Sequence, residues 1–495
     1  MSQIKINNLT FSYPGGYDNV FENASFQIDT DWKLGFIGRN GRGKTTFLKL
    51  LMGKYPYQGS ITASVAFDYF PFTVTHQEWL TGEALEEVCP EVPRWRLLRE
   101  MSALQLDEEQ LYRPFETLSY GERTKCLLAL LFARENRFLL IDEPTNHLDL
   151  RGRELVSRYI NCKKGFILVS HDRAFLDGCV DHILTINKAT IEVQRGNFSS
   201  WWENKERQDR FELAENEKLK KEIKRLKDAA REKAQWSDAA ERRKVGIVRT
   251  KVDNVKGWAP LQGAKSKKQM SRAKAIKGRQ QAVIEEKSKL LKNIEEADTL
   301  KLSQLPYHKA RLLWVKELSV DYGRGPIFEG VSFELRQGDR LAVLGSNGSG
   351  KSSLLKLVYG EEIPHKGVIE RGSRLRISYV PQDTSFLSGN LSDFARERKI
   401  EESLFKATLR KLDFSRTQFE KDMTEYSAGQ KKKVLLAASL CERTHLHIWD
   451  EPLNYVDVLS RIQIEELLMT RRPTLLFVEH DRRFCEKTAT KTILL

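Results

Sequence analysis

Two glycine-rich segments each end in a lysine and two hydroxyl residues. Residues 38–46 read Gly-Arg-Asn-Gly-Arg-Gly-Lys-Thr-Thr, and residues 345–353 read Gly-Ser-Asn-Gly-Ser-Gly-Lys-Ser-Ser. Glycines let backbone N–H groups turn inward around phosphate oxygens, the lysine reaches the terminal phosphates, and the first hydroxyl can hold Mg²⁺. The predicted phosphate-binding residues are Gly38, Asn40, Gly41, Gly43, Lys44, Thr45, Thr46, Gly345, Asn347, Gly348, Gly350, Lys351, Ser352 and Ser353.

Each half of the chain also carries an apolar run that ends in two acids. Phe-Leu-Leu-Ile precedes Asp142 and Glu143, and His-Ile-Trp precedes Asp450 and Glu451. One such pair alone is more often structural, but two pairs at the same distance from a phosphate loop favour phosphoryl-transfer chemistry. We expect the aspartates to bind Mg²⁺ together with Thr45 and Ser352, and the glutamates to polarise an attacking water.

Two histidines and two tyrosines complete the candidate site. His171 and His480 end the next apolar runs, where they could contact the γ-phosphate and the attacking water. A single histidine at such a position would more often be a buried core residue with its hydrogen bonds satisfied. Because the histidine recurs in both halves, a role in the site is the better interpretation. Tyr13 could stack on an adenine ring or fill a core, and the sequence leaves both open; Tyr322 is its counterpart.

These elements recur in the same order in both halves. Lys44 and Lys351 are 307 positions apart, and Asp142 and Asp450 are 308 apart. Phosphate loops that follow apolar runs and precede helical patterns indicate an α/β fold. We predict two domains of one fold, residues 1–200 and 306–495, joined by a linker at 201–305.

The linker has a different composition. Residues 201–236 and 271–299 are rich in helix-forming side chains, which predicts an antiparallel helical hairpin with a loop at about residues 237–270. Between Arg242 and Lys289 lie 15 Lys or Arg and 3 Asp or Glu residues, a local balance of +12 out of the chain's +14. A solvated helical face is the plainer interpretation, but the near absence of acids in the loop favours a nucleic-acid partner.

Composition narrows the class of protein. Hydrophobic residues make up 40% of the 495, and the apolar runs are too short to span a bilayer. No signal peptide is visible, and the six cysteines show no metal-ligand spacing. We therefore expect a cytoplasmic protein with reduced thiols and without a transmembrane partner.

Segments 118–122 and 426–430, Leu-Ser-Tyr-Gly-Glu and Tyr-Ser-Ala-Gly-Gln, complete a pattern that resembles a tandem ATP-binding-cassette (ABC) ATPase over nearly the whole chain. In that family two cassettes enclose two ATP molecules head to tail. The resemblance implies ATP and Mg²⁺ as cofactors and a monomer whose cassettes pair with each other. It places Ser427 and Gly429 opposite Lys44, in what we call the Lys44 site. It places Ser119 and Gly121 opposite Lys351, in the Lys351 site.

Two positions depart from the family pattern. The glutamine that contacts Mg²⁺ and water is present as Gln382, but its counterpart in the first half is Phe72. A phenylalanine can bind neither, so hydrolysis is better supported at the Lys351 site. Tyr120 stands where the signature loop usually has glycine, which narrows the approach to nucleotide.

Tandem cassettes with a charged helical linker are similar to the ABC-F group, and most similar to antibiotic-resistance members of the Lsa and Vga type. That resemblance implies a bacterial ribosome as partner, with large-subunit rRNA and peptidyl-tRNA, and a linker that enters the tRNA exit site. It implies displacement of lincosamides, pleuromutilins and streptogramin A from the peptidyl transferase centre. The linker-tip residues expected near the drug site are Lys244, Val245, Ile247, Val248 and Trp258.

Two other functions fit the same motifs. A housekeeping translation factor would bind the ribosome without protecting it from drugs. An ATPase subunit of a drug exporter would need a separate membrane partner, and such subunits rarely carry a basic linker of this length.

Overall fold

The structure is a computed structural model that describes residues 2–14, 19–146, 148–187, 190–246, 300, 302–323 and 325–495. The chain divides into two compact units, residues 1–201 with 297–495, and residues 202–296. Both phosphate loops belong to the first unit. The three-part division at residues 200 and 305 stays a prediction.

The first half of the chain alternates strands and helices, as the repeat predicts. Its strands are β1 (Gln3–Phe11), β2 (Phe21–Asp29), β3 (Lys33–Ile37), β4 (Gln58–Thr62), β5 (Ala66–Phe70), β6 (Arg137–Asp142), β7 (Phe166–Val169), β8 (His182–Asn187) and β9 (Thr190–Arg195). Its helices are α1 (Lys44–Leu51), α2 (Thr81–Val88), α3 (Arg94–Ala103), α4 (Tyr120–Ala133), α5 (Leu150–Asn161) and α6 (Arg173–Cys179).

Two sheets form this half. The six-stranded sheet has the order β5-β6-β7-β3-β8-β9 and is parallel except for β9, and the other sheet, β2-β1-β4, is antiparallel. All four residues of β7 are buried, and β6 is buried from Phe138 to Ile141. Strands covered on both faces read as continuous apolar runs. Their carboxyl ends meet at one edge of the sheet, which brings Asp142 and His171 close together.

The second half repeats this arrangement. Its strands are β10 (Arg311–Asp321), β11 (Pro326–Arg336), β12 (Arg340–Leu344), β13 (His365–Arg371), β14 (Ile377–Val380), β15 (Leu446–Asp450), β16 (Leu475–Val478) and β17 (Lys491–Leu494). Its helices are α8 (Lys351–Tyr359), α9 (Leu391–Glu397), α10 (Glu402–Lys411), α11 (Ala428–Cys441), α12 (Val458–Arg471) and α13 (Arg482–Thr488). The sheet orders are β14-β15-β16-β12-β17 and β11-β10-β13. The predicted α/β fold in two domains of one architecture is confirmed.

Apolar layers fix the phosphate loops against these sheets. Phe47 on α1 is fully buried against Phe21 and Phe26 of β2 and Phe36 of β3. Burial of a side chain of this size stabilises by roughly 1.5–3 kcal/mol. In the second half the equivalent anchors are Leu354 and Leu355, which have no exposed surface. The helix after each loop is therefore held in one orientation.

Helix α7 (Phe198–Gly246) leads out of the first half. It runs past the predicted helix end at Trp236, so the predicted loop start near residue 237 is wrong. Residues 237–245, Ser-Asp-Ala-Ala-Glu-Arg-Arg-Lys-Val, contain neither Gly nor Pro and are mostly good helix formers. The described part of the helix extends to the first glycine, Gly246. The predicted second linker helix, residues 271–299, lies outside the described residues. Among the helices that are described, none combines the length and apolarity needed to cross a membrane.

Candidate nucleotide-binding sites

Glycines in left-handed conformations shape both phosphate loops. Gly43 and Gly350 cap the helices that follow, with φ of 92° and 87°. A Cβ on Gly43 would come within 2.5 Å of Val20 Cγ1, and one on Gly350 within 2.7 Å of Ile327 Cγ2. Only glycine satisfies both the φ angle and the space. The loops can therefore turn their N–H groups toward a bound phosphate, at the positive end of the helix.

Each loop lysine is buried and donates to carbonyls of its own loop. Lys44 Nζ lies 2.6 Å from Gly38 O and 3.1 Å from Arg39 O. Lys351 Nζ lies 2.7 Å from Ser346 O and 3.1 Å from Gly345 O. Burial lowers the pKa of both ammonium groups, although nearby carboxylates oppose the shift. A phosphate entering the loop would offer each ammonium a charged acceptor.

Two cavities lie between the halves, and each takes its phosphate loop from one half and its signature segment from the other. The first is about 590 Å³ and contains Lys44 opposite Ser427 and Gly429. The second is about 800 Å³ and contains Lys351 opposite Ser119 and Gly121. Ser119 and Ser427 each cap the helix that follows and pair with the residue three positions on. The two halves thus face each other head to tail.

Most of the predicted residues line these cavities, but four do not: Gly38, Gly345, Tyr322 and Asp450. Tyr13 lines the Lys44 cavity, is 43% exposed, and has its hydroxyl 2.5 Å from Thr46 Oγ1. Its ring packs edge-on against Phe11 and Tyr55. Tyr322 is also exposed, and its hydroxyl lies 3.1 Å from Ser353 Oγ. An exposed ring beside the loop can stack on an adenine, whereas a core role does not fit this exposure.

The donors expected for Mg²⁺ are present in both halves. Asp450 is 1% exposed, interacts with the Ser352 hydroxyl, and keeps Oδ1 without a hydrogen bond to any described residue. A buried carboxylate oxygen with no partner fits a bound cation. In the first half, Asp142 Oδ2 accepts hydrogen bonds from Thr45 at 2.8 Å and from Tyr69 at 3.0 Å. Burial raises the pKa of Asp450 to about 6 and that of Asp142 above its usual value.

Glu451 is held by three hydrogen-bond donors. His480 Nε2 lies 3.3 Å from Oε1, while Gln382 Nε2 and Asn454 Nδ2 lie 2.9 and 2.6 Å from Oε2. Burial alone would raise the pKa of Glu451, but these donors and nearby positive charge lower it below its usual value. The carboxylate is ionised at neutral pH and faces the cavity, where it can accept a hydrogen bond from water.

Glu143 has the same position but different surroundings. His171 Nε2 lies 3.3 Å from its Oε1, yet that oxygen receives no hydrogen bond within the described part of the chain. Burial and the charge of Asp142 raise the pKa of Glu143 to about 8. Burial and the charge of Lys44 lower the pKa of His171 well below its usual value. At neutral pH this pair is mostly uncharged.

Both glutamates sit in left-handed backbone, with φ of 53° at Glu143 and 46° at Glu451. Such angles are unfavourable for a residue with a Cβ and concentrate at functional sites. Their N–H groups are held by Val169 O at 2.9 Å and Val478 O at 3.0 Å. The sharp turn directs each side chain out of the strand and toward the cavity.

Residues 21–146 and 328–454 each match the ABC transporter family, together about half of the chain. The chain belongs to the ABC transporter family. Its cassettes are ATPase domains, and the protein is an ATPase that binds ATP. The predicted resemblance to the ABC-F group is likewise confirmed.

Several relatives are similar over nearly the whole chain. Ribosome protection protein VmlR of Bacillus subtilis is 29% identical, with 98% of this chain and 85% of that protein covered. Probable ATP-binding protein YbiT of Escherichia coli O157:H7 is 27% identical, with 98% and 94% covered. Among solved structures, the archaeal ribosome recycling factor aABCE1, determined in complex with a ribosomal stalk protein, has a TM-score of 0.63 at 19% identity, covering 98% of this chain and 87% of that one. At that identity the last likeness shows the fold alone.

The two ABC cassettes also meet through contacts that the motifs do not predict. Asn40 Nδ2 donates to Tyr455 O at 2.7 Å, beside the Lys44 cavity. Arg39 and Arg42 approach Asp413 Oδ1 of the second cassette at 3.7 and 3.6 Å. Serines occupy the matching positions of the second loop, at 346 and 349. The Lys44 site therefore has charged contacts between the cassettes that its counterpart loop cannot make.

Sequence reasoning missed Asn454, Tyr69 and Asp413. Asn454 belongs to a segment that matches residues 146–149, so the repeat itself carried a signal for it. Tyr69 and Asp413 had none, because their roles depend on contacts across the fold. Of the predicted tip residues, Lys244 and Val245 lie in the last turn of α7, whereas Ile247, Val248 and Trp258 lie outside the described residues.

Proposed function

We propose that this protein is an ATP-dependent ribosome-binding factor that protects the ribosome from antibiotics. ATP binding closes the cassettes, and the segment at residues 202–296 enters the tRNA exit site of a bacterial ribosome. There it dislodges lincosamides, pleuromutilins or streptogramin A, and ATP hydrolysis releases the protein. The partners are large-subunit rRNA and peptidyl-tRNA, and the protein acts in the cytoplasm as a monomer.

The observation that carries this proposal is the likeness to a protein named for ribosome protection over 98% of the chain. The concentration of positive charge between residues 242 and 289 adds support, because phosphate neutralisation is the main source of affinity for RNA. The head-to-tail cavities support an ATP-dependent closure of the cassettes, because each cavity is complete only when both cassettes contribute residues.

The first turn of α7 also supports a link between the cassettes and the linker. Ser199 donates through its N–H at 2.8 Å and its hydroxyl at 2.6 Å to the Asp177 carboxylate. Arg483 of the second cassette approaches both, at 2.5 Å from Asp177 Oδ2 and 2.9 Å from Ser199 Oγ. Arg483 lies three residues after His480, which faces the Lys351 cavity. A nucleotide-dependent shift at His480 would therefore reach the start of α7.

The chain's own residues supply the remaining chemistry at the Lys351 site. Glu451 orients and polarises the attacking water, Lys351 stabilises charge on the phosphates, and Ser119 approaches from the opposite cassette. Ser352, Asp450 and Gln382 would hold Mg²⁺, which neutralises charge on the β- and γ-phosphates when bound. The corresponding ligands at the other site are Thr45 and Asp142.

Ribosome co-sedimentation of the Glu143→Gln, Glu451→Gln double variant tests the proposal. With hydrolysis blocked, we expect the variant to pellet with bacterial ribosomes in ATP and to stay in the supernatant in ADP. The matched control carries Lys44→Ala and Lys351→Ala in addition, and should not pellet in either nucleotide. Failure of the double variant to pellet in ATP would exclude ribosome binding as the function.

A housekeeping translation factor is the second candidate, because YbiT, which is named only as a probable ATP-binding protein, is nearly as similar as VmlR. Expression in a drug-sensitive bacterium separates the two. If the protein is a resistance factor, its expression raises the inhibitory concentrations of the three drug classes, whereas expression of the Glu451→Gln variant does not. Unchanged susceptibility with intact ribosome binding would favour the housekeeping role.

A further inference from the structure

One buried ammonium joins elements of the two nucleotide sites. Lys432 lies on α11 and is 2% exposed. Its Nζ donates to Pro381 O at 2.7 Å, Gln382 O at 3.2 Å and Asp450 O at 3.0 Å. A lysine has three N–H donors, and each finds a backbone carbonyl here. Burying an ammonium is costly unless its donors are paired, so this complete pairing sets the position of the side chain.

The three carbonyls belong to two elements of the Lys351 site. Pro381 and Gln382 form the loop whose glutamine side chain donates to Glu451 Oε2 at 2.9 Å. Asp450 ends the strand that carries Glu451. Lys432 therefore fixes the distance between the glutamine loop and the strand end, and with it the hydrogen bond on the catalytic glutamate.

The N-terminal turn of the same helix, just before Lys432, serves the Lys44 site. Ser427 caps α11, and Gly429 lies in its first turn; both line the Lys44 cavity. A Cβ on Gly429 would come within 2.8 Å of Tyr455 O, so this turn fits closely against its neighbour. The helix is continuous from Ala428 to Cys441. A displacement of Lys432 is thus passed to the residues that face the other nucleotide.

The first cassette lacks this connection. The position equivalent to Lys432 is Thr124, since Ser119 and Ser427 are both five residues earlier. The Thr124 hydroxyl donates to Tyr120 O on its own helix at 2.9 Å. Within the described residues, no hydrogen bond joins Thr124 to the Phe72 loop. The tether is a feature of the second cassette.

We propose that Lys432 is a positioning residue that holds Gln382 against Glu451 in the Lys351 site and transmits movement of that loop to Ser427 in the Lys44 site. The coupling runs within the second cassette, from the glutamine loop of one site to the signature serine of the other. It concerns the ATPase reaction itself and does not depend on what the protein binds.

The first test measures ATP turnover in the Glu143→Gln background, where only the Lys351 site hydrolyses. Lys432→Thr introduces the residue that the first cassette carries at this position, so the fold has a precedent for it. We expect kcat to fall by about 10- to 100-fold, the range typical of a misplaced catalytic group, with little change in KM. Lys431→Met removes a positive charge from the same turn of the helix and should leave kcat within about twofold. Equal kcat values for the two variants would overturn the positioning role.

A double-mutant cycle with Gln382→Ala separates positioning from a general structural effect. If Lys432 acts through Gln382, the double variant has the same kcat as Gln382→Ala alone. Additive losses would show that Lys432 acts elsewhere. Lys432→Met, which keeps the side-chain length but removes the donors, provides an independent variant for the same cycle, and additivity there would count equally against the proposal.

The coupling is measured at the Lys44 site, in the Glu451→Gln background. Gln382→Ala should shift the ATP concentration for half-maximal turnover by about fivefold when Lys432 is present. In the Lys432→Thr variant the same substitution should cause no shift. A shift of equal size with and without Lys432 would refute the transmission, and ribosome binding, measured separately, would be unaffected by either outcome.

Discussion

The Lys44 and Lys351 sites share their motifs and spacing but differ in the protonation state of the candidate catalytic glutamate. Glu451 receives hydrogen bonds from His480, Gln382 and Asn454, and its pKa is lowered. Glu143 has Phe72 in place of the glutamine, and its pKa is raised to about 8. A repeat places the two carboxyl groups alike, whereas the burial, charges and hydrogen-bond donors around each one decide whether it is ionised.

The Lys44 site has charged contacts between the cassettes that the loop of the Lys351 site lacks. At the Lys44 site, Arg39 and Arg42 approach Asp413 of the second cassette. The Lys44 cavity is also the smaller, at about 590 Å³ against 800 Å³. From this comparison we expect the Lys44 site to favour holding nucleotide between the cassettes and the Lys351 site to favour turnover.

The largest expected effect comes from the glutamates themselves. Glu451→Gln should lower steady-state phosphate release by about 10²-fold, because a positioned base typically contributes at least that much. Glu143→Gln should lower it only slightly, since the wild-type carboxyl group is mostly protonated at neutral pH. Equal losses from the two variants, or a larger loss from Glu143→Gln, would remove the distinction between the sites.

Placing phenylalanine at Gln382 and glutamine at Phe72 should reverse the difference in turnover between the two sites. In the Glu143→Gln background, Gln382→Phe should reduce turnover by about tenfold, because Glu451 loses a donor on Oε2. In the Glu451→Gln background, Phe72→Gln should increase turnover at the Lys44 site. Phosphate release measures both. Phe72→Leu is the apolar control, and an equal gain from leucine would show that ring size rather than hydrogen bonding limits this site.

The pH dependence of the sites should also differ. Glu143 has a raised pKa, so it is protonated below about 8 and becomes a base only as the pH rises through that value. In the Glu451→Gln background, turnover at the Lys44 site should increase by about tenfold between pH 7 and pH 9. In the Glu143→Gln background the rate should stay nearly constant, because Glu451 is already ionised. Parallel profiles in the two backgrounds would contradict the assignment.

A smaller effect is expected from the charged contact at Asp413. Asp413→Asn keeps a residue that tolerates the left-handed backbone, φ 64°, but removes the charge facing Arg39 and Arg42. Partly exposed ion pairs contribute about 0.2–1 kcal/mol, so ATP affinity at the Lys44 site should fall by about two- to fivefold. Gln105→Asn is the control, because it changes the equivalent position of the first cassette. Titration with ATP should show no change in affinity at the Lys44 site for this variant.

The smallest effect concerns the start of α7. Arg483→Ala should increase amide hydrogen exchange at Ser199 by a few fold in the ATP-trapped double variant. Arg482→Ala is the matched control, because Arg482 also bonds across the cassettes, to Glu154 at 3.2 Å, without touching α7. Equal exchange in the two variants would show that Arg483 does not hold this turn.

The geometry of the candidate phosphate loops was predictable because their chemistry is local. A loop such as residues 38–46 needs particular residue types at fixed positions, and its second copy at 345–353 removes the ambiguity of a single match. The buried strands were predictable for a similar reason, since a strand covered on both faces reads as an apolar run. The predicted start of the loop near residue 237 was wrong, because residues 237–245 contain neither Gly nor Pro and the glycines that favour a loop begin at residue 246.

The sequence by itself therefore determined the fold, the two phosphate loops and the pairs of acids, because each depends on spacing along the chain. Only the tertiary structure decided how those acids are charged and how the sites are connected. Tyr69, Asp413 and Lys432 act on partners more than 15 residues away, through burial and hydrogen bonds that spacing does not encode. Whether a carboxyl group is ionised and whether two sites are coupled depend on neighbouring groups that come together only when the chain folds.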